Sequence, residues 1–138
     1  WYEEDFIELA RLLHENKLFD YIYLICGYEK SHITKKIIND SKKQYFIDCS
    51  SKDLQGVILA IKNSSFYVGN NSGPLNLSAA LGVKTFGLIA NDPVSELKYS
   101  KIKPITPPGY IDNIWTRKRE GMKKLRPNDV FEQIKKNL

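Results

Sequence analysis

Phe66-Tyr67-Val68-Gly69-Asn70-Asn71-Ser72-Gly73-Pro74-Leu75-Asn76-Leu77-Ser78-Ala79-Ala80-Leu81-Gly82 passes from a short apolar run through a polar turn into a second apolar run. Phe66–Gly69 reads as a strand and Pro74–Leu81 as a short helix. Gly73 permits close backbone approach and unusual dihedrals, and Pro74 fits the first helical position, whose N–H has no partner in any helix. Leu75, Leu77, Ala79, Ala80 and Leu81 leave the helix apolar almost all round, which predicts deep packing, with Gly82 as its C-cap. A strand turning directly into a buried helix is the unit of a parallel α/β sheet.

The flanking sequence repeats this alternation. Downstream, Thr85–Ile89 reads as the next strand. Upstream, Leu54, Val57, Ile58 and Ile61 recur at helical spacing behind the capping residues Ser50, Ser51 and Asp53. Before them come a short strand, Tyr45–Asp48, and a helix within Ser31–Lys43 marked by Ile33, Ile37 and Ile38. Tyr21–Cys26 is a continuous apolar run of the kind expected of a strand buried on both faces. Glu3–Asn16 is an amphipathic helix on Phe6, Leu9, Ala10 and Leu13, with acids in its first turn where they favour the helix dipole. A closing helix is expected near Asn128, with Phe131, Ile134 and Leu138 as its buried stripe. Parallel strands need crossovers of about a dozen residues, so the expected fold is α/β: a Rossmann-like, mostly parallel sheet with helices on both faces. Between Asn91 and Arg126 the alternation breaks, and Pro93, Pro104, Pro107 and Pro108 argue against regular ladders there.

A length of 138 residues is expected to form a single domain, residues 1–138, and 42% hydrophobic with 27% charged residues is ordinary globular composition. No apolar run reaches the roughly 20 residues of a membrane helix. The chain opens on Trp1 and a run of acids rather than on Met and a basic segment, so it is expected to be a piece of a longer protein without a signal peptide. Cys26 and Cys49 are too few for a disulfide framework and are expected to be reduced core thiols; neither a metal site nor a cofactor is expected. The net charge of +5 is concentrated in Arg117–Arg126, which holds six bases against one acid. Solvated surface is the plain reading of that run, and an anionic membrane is the alternative. Aromatic residues are not interleaved with the bases, so nucleic acid is not expected as a partner.

Ligands of open parallel sheets sit beyond the carboxyl ends of the strands, and the turn Asn70–Gly73 lies at that edge. The unpaired N–H groups of the first helical turn, with the dipole behind them, suit an anionic group. Ser72 adds a hydroxyl donor, and Asn71 and Asn76 add amides. The same residues are equally at home in a plain turn, where Asn and Gly serve the backbone.

The segment GNNSGPLNLSAALGVKTFGLIANDP resembles the signature of the heptosyltransferase-type glycosyltransferases of lipopolysaccharide core synthesis. Those proteins carry an Asp-(Thr/Ser)-Gly-x-x-His turn, an Ala-Ala-Leu helix, a strand and a Thr-Asp-Pro-like turn. Ser72-Gly73, Ala79-Ala80-Leu81-Gly82 and Asp92-Pro93 match those parts, and Trp1 is similar to the Trp that opens the family's C-terminal half. The resemblance is weakest from Ser95 to Arg126.

The resemblance implies the C-terminal half of a two-domain GT-B glycosyltransferase, cytoplasmic or peripheral at the inner face of the cytoplasmic membrane. This half would bind a nucleotide-sugar donor such as ADP-heptose, while the other half would hold the acceptor glycolipid and the carboxylate base of an inverting transfer. It implies that Ser72, Gly73, Pro74 and Leu75 face the donor diphosphate, that Asn71 and Asn76 face the sugar or leaving phosphates, and that Glu29 grips the ribose. Asn71 stands where the family has Asp, and Asn76 where it has His. No catalytic residue is expected within this chain, which should bind rather than catalyse. A non-catalytic nucleotide- or sugar-binding module of the same fold is the alternative. A flavodoxin-like signalling domain is disfavoured, because no acidic cluster accompanies the strand ends.

Overall fold

The computed structural model describes residues 1–99, 101–112 and 120–138. The described chain forms two compact units, Tyr2–Ala60 and Ile61–Leu138, the second including Trp1.

In the first unit, helix α1 (Glu3–Glu15) is followed by strand β1 (Ile22–Leu24), helix α2 (Ser31–Ser41) and strand β2 (Phe46–Asp48). β1 and β2 pair in parallel, Ile22 opposite Phe46 and Leu24 opposite Asp48. The expected stripe of α1 is upheld: Leu9, Ala10 and Leu13 are buried. Ala10, Ile37, Tyr45 and Phe46 make the core of this unit, with Ile22 and Leu24 packed against it. The unit runs into α3 (Leu54–Lys62), whose start is capped as expected by Asp53, its Oδ1 accepting from Gly56 N–H at 2.8 Å.

The second unit carries β3 (Phe66–Asn70), α4 (Gly73–Ala80), β4 (Lys84–Leu88), β5 (Ile102–Ile105), a short helix α5 (Glu120–Lys123) and α6 (Pro127–Asn137). Its sheet has the order β3-β4-β5, parallel throughout. α4 covers one face, where Leu75 and Ala79 pack with Ile89 and Ile102, and Tyr67 lies against them. Two glycines, Gly69 and Gly87, stand side by side in the ladder. A Cβ on Gly87 would lie 3.2 Å from Leu75 Cδ2 and 2.9 Å from Ile102 Cγ2, so the bare backbone there lets α4 approach the sheet. Hydrogen bonds from Lys84 to the Leu138 carbonyl (3.0 Å) and from Lys103 to Asn137 Oδ1 (3.0 Å) tie the end of α6 to β4 and β5.

All four expected strands form, but in two parallel ladders, one in each unit, rather than in one sheet. Tyr21–Cys26 is not buried on both faces. Only Ile22–Leu24 is strand, and Tyr21 and Tyr23 are exposed, as tyrosines tolerate with an apolar body and a polar tip. The prolines of Asn91–Arg126 do not prevent a ladder, because β5 contains Pro104. The Ile105 carbonyl accepts from Ile89 N–H (3.0 Å), so Ile105 turns its polar groups to β4. Pro104, one residue away on the last strand of the order, turns its nitrogen to the outer edge, where no ladder donor is required. Leu54 and Leu138 are exposed rather than part of buried stripes; each sits at the end of its helix, beyond the covered part. Val130 joins Phe131 and Ile134 as the buried face of α6. Of the basic stretch, residues 117–119 lie outside the described residues, while Lys123, Lys124 and Arg126 are exposed.

Candidate functional site

Asn70 ends β3 and Ser72, extended at φ −161° and ψ 173°, is the N-cap of α4. Gly73 therefore takes the first helical position and Pro74 the second, one residue later than expected, at a place where a missing N–H still costs nothing. The first helical bond runs from Asn76 N–H to the Ser72 carbonyl at 3.3 Å. The N–H groups of Gly73 and Leu75 precede it and lie at the positive end of the helix dipole. Gly73 is exposed, and a Cβ built on it would meet nothing within 4 Å. Its backbone is not left-handed, so the unusual dihedral expected there is absent; open space over the helix start is what the missing side chain provides. Left-handed backbone occurs instead at the other end. Gly82 has φ +80°, and Val83 N–H to the Ser78 carbonyl and Gly82 N–H to the Ala79 carbonyl, both 3.1 Å, close α4 in a Schellman motif.

The Ser72 hydroxyl does not cap its own helix. Burial pushes the Tyr67 hydroxyl up to about 12, and the Ser72 hydroxyl, which favours the phenolate, only partly offsets this. The ring tip lies over Gly69: a Cβ there would be 2.7 Å from Tyr67 Oη.

Three asparagines fix the loop. Asn70 Oδ1 accepts from the Trp1 backbone nitrogen at 3.0 Å, and the Trp1 indole donates to the Leu125 carbonyl at 2.7 Å. Asn71 Nδ2 donates to Asp92 Oδ2 at 2.9 Å, joining the two signature turns. Asn76 Nδ2 donates back to the Ser72 carbonyl at 3.1 Å. The Asp92 turn is itself held by Tyr110, whose hydroxyl donates to the Asp92 carbonyl (2.8 Å) and accepts from Val94 N–H (2.9 Å).

Six of the seven expected site residues thus come together at the start of α4. Asn71, Ser72 and Gly73 are exposed, and Pro74 and Asn76 are half-buried. Leu75 is wholly buried, so its backbone alone is available to a ligand. Glu29 lies in the other unit, exposed on the 3-10 turn Tyr28–Lys30, with its carboxyl folded over Gly27. Tyr67, Asn70 and the Asp92 carboxylate take part in the turn without having been singled out from the sequence as site residues. Asp92 and Trp1 were visible there only as motif positions, and a tyrosine two residues before a strand glycine is no signal by itself. Among the described residues no three His, Cys, Asp or Glu side chains converge as metal ligands.

The family model described as glycosyltransferase family 9 (heptosyltransferase) matches residues 1–134. No curated protein sequence matches significantly. Among solved structures, E. coli ADP-heptose LPS heptosyltransferase II is similar, with a TM-score of 0.81 at 15% identity. The likeness covers 99% of this chain and 41% of that one, so the chain spans less than half the length of that protein. At this identity the likeness is one of fold.

Proposed function

The chain belongs to glycosyltransferase family 9, the heptosyltransferases, and from that premise we propose that it is the donor-binding half of an inverting glycosyltransferase of lipopolysaccharide or cell-envelope glycan synthesis. The observation that carries this reading is the start of α4. Two backbone N–H groups stand ahead of the first helical bond beside the Ser72 hydroxyl, under open space at Gly73. The diphosphate of a nucleotide sugar fits donors of this kind, which are oriented before the ligand arrives.

In the transfer, an acceptor hydroxyl forms the new bond to the anomeric carbon while the bond from that carbon to the diphosphate oxygen breaks. The acceptor proton passes to a carboxylate outside this chain, and the diphosphate leaves toward Ser72 and the N–H groups of Gly73 and Leu75. Negative charge grows on the leaving group, so donors aimed at it stabilise the transition state more than the ground state. Asn71 and Asn76 keep acceptor oxygens for sugar hydroxyls while their amide N–H groups hold Asp92 and Ser72. The acceptor glycolipid binds the remainder of the protein, which works at the cytoplasmic face of the membrane.

Isothermal titration of ADP-heptose and of UDP-sugars into this chain and into the full-length protein tests the reading. One nucleotide sugar should bind both at one site; a full-length protein that binds none overturns it. A second reading, a non-catalytic binding module, is favoured by the neutral Asn71 and Asn76 at the family's Asp and His positions. Donor binding without sugar transfer by the full-length protein would select it.

A further inference from the structure

We propose that Asp92 is a positioning residue that sets the ligand class of the turn, acting through Asn71: by holding the Asn71 amide N–H it turns the Asn71 oxygen to the ligand, so that this position takes a sugar hydroxyl and refuses a phosphate. The inference rests on the donor-binding reading above and deepens it, naming what separates a nucleotide sugar from a nucleoside triphosphate.

An ionised carboxylate only accepts hydrogen bonds, whereas an amide donates at one end and accepts at the other. Asp92 Oδ2, 2.9 Å from Asn71 Nδ2, therefore decides which end of the amide it meets. The Asn71 oxygen lies on the other branch of the planar group, and no described residue donates to it. The Ser72 carbonyl, also an acceptor only, does the same for Asn76, taking its Nδ2 at 3.1 Å. Asp92 is itself held in place, since its carbonyl accepts from Tyr110 Oη at 2.8 Å and the following Pro93 is buried. Asn71 is exposed and adjoins the N-cap Ser72, so its oxygen borders whatever sits over the start of α4. The turn thus presents two kinds of group side by side. The N–H groups of Gly73 and Leu75 suit phosphate oxygens, and the amide oxygens suit hydroxyls. A sugar hydroxyl gives Asn71 Oδ1 a proton, whereas a further phosphate would set acceptor against acceptor, and discrimination of this kind works by leaving the wrong ligand unpaired.

The test is a double-mutant cycle in the full-length protein, with Asp92→Asn, Asn71→Ala and the double variant. Isothermal titration compares ADP-heptose, ATP and ADP, with UDP-glucose, UTP and UDP as the matching uridine series. The wild type should prefer the nucleotide sugar to the triphosphate. Asp92→Asn keeps the shape of the side chain but lets the Asn71 amide turn over. It should cut that preference about five-fold, the size of one hydrogen bond, with the diphosphate affected least of the three ligands. In the Asn71→Ala background the same change should have no further effect. If the preference is absent from the wild type, is unchanged in Asp92→Asn, or falls equally with and without Asn71, the inference falls and the donor reading stands. A loss shared equally by all three ligands marks a merely structural role for Asp92 and overturns the inference in the same way. If the full-length wild type takes none of these nucleotides, the donor reading falls and this inference with it.

Discussion

Asn71 Nδ2 lies 2.9 Å from Asp92 Oδ2, so an amide proton occupies the space between the signature turn and the turn after β4. The relation explains how an asparagine serves where the family has an aspartate. With Asp92 held by Tyr110 through its own backbone, a neutral donor at position 71 is the complement that the carboxylate requires.

Restoring the family residue should therefore harm this chain. Asn71→Asp places two carboxylates at hydrogen-bonding distance, where both cannot remain ionised at low cost. One carboxyl is pushed up in the folded state, so its stabilising proton is fully present below the unfolded value near 4. It is lost as pH rises through the raised folded value. Thermal unfolding should show Asn71→Asp matching wild type near pH 4 and falling short of it at pH 7. The deficit should be about 1–2 kcal/mol, limited by solvent screening at this exposed turn. Equal stability at both pH values would show that the two side chains separate freely.

The alkaline side depends on Tyr67. Its folded value is pushed up to about 12 against an ordinary 10, so the contribution is whole below pH 10 and is lost between 10 and 12. Two units correspond to about 2.7 kcal/mol. Burial also pushes up Tyr45 and Tyr110, so the wild type should lose stability steeply above pH 10. Tyr67→Phe should flatten that decline by about 0.8 kcal/mol at pH 10.5, on the way to the full difference above pH 12. Urea unfolding at pH 7 and 10.5 reads the difference, and parallel curves for wild type and variant would contradict the burial argument.

Periodic apolar residues foretold the elements well where one helix face meets one core. Leu9, Ala10 and Leu13 of α1, and Ile37 of α2, are buried as their spacing requires. The turn was also readable, because Gly73, Pro74 and Gly82 mark helix ends through chain chemistry alone. β5 escaped because Pro104 argues against a strand unless its nitrogen is known to face an edge, and that depends on the sheet order. Leu54 and Leu138 escaped because periodicity does not say how far a helix is covered. The Asn71–Asp92 bond spans 21 residues and the Trp1–Asn70 bond 69, distances over which residue types carry no pairing signal. Tyr67 reads simply as an apolar strand residue, since the burial of its hydroxyl depends on how Leu75 and Ala79 of α4 pack over the strand.

The basic stretch gives a prediction about location. Lys123, Lys124 and Arg126 are exposed around an open hollow of about 440 Å³ that Pro108 and Asp129 also line. We propose that these bases favour the anionic inner face of the membrane, each contributing about 1 kcal/mol near the surface. Co-sedimentation at low salt should favour vesicles with anionic lipid over neutral ones, and Lys123→Gln with Lys124→Gln should reduce the preference at least ten-fold. Equal sedimentation with neutral and anionic vesicles rules the proposal out.

The sharpest prediction concerns Gly73. The position is exposed, its backbone is not left-handed, and a Cβ there meets nothing within 4 Å, so Gly73→Val has no clash or left-handed strain to impose on the fold. Its cost to folding should be that of a β-branched residue in a first helical turn, within about 1 kcal/mol. The same open space is where a diphosphate must come to reach the N–H groups of Gly73 and Leu75, and an isopropyl group fills it. Gly73→Val should therefore unfold within a few degrees of wild type yet lose the stabilisation a nucleotide sugar gives, about 2.7 kcal/mol at a hundred times the dissociation constant. Ser72→Ala should lose only part of it, because the backbone donors remain. Differential scanning with ADP and UDP derivatives distinguishes the cases in one experiment. Equal nucleotide stabilisation of wild type and Gly73→Val would move the donor site away from α4, whereas a collapsed Gly73→Val would show that the glycine serves the backbone after all.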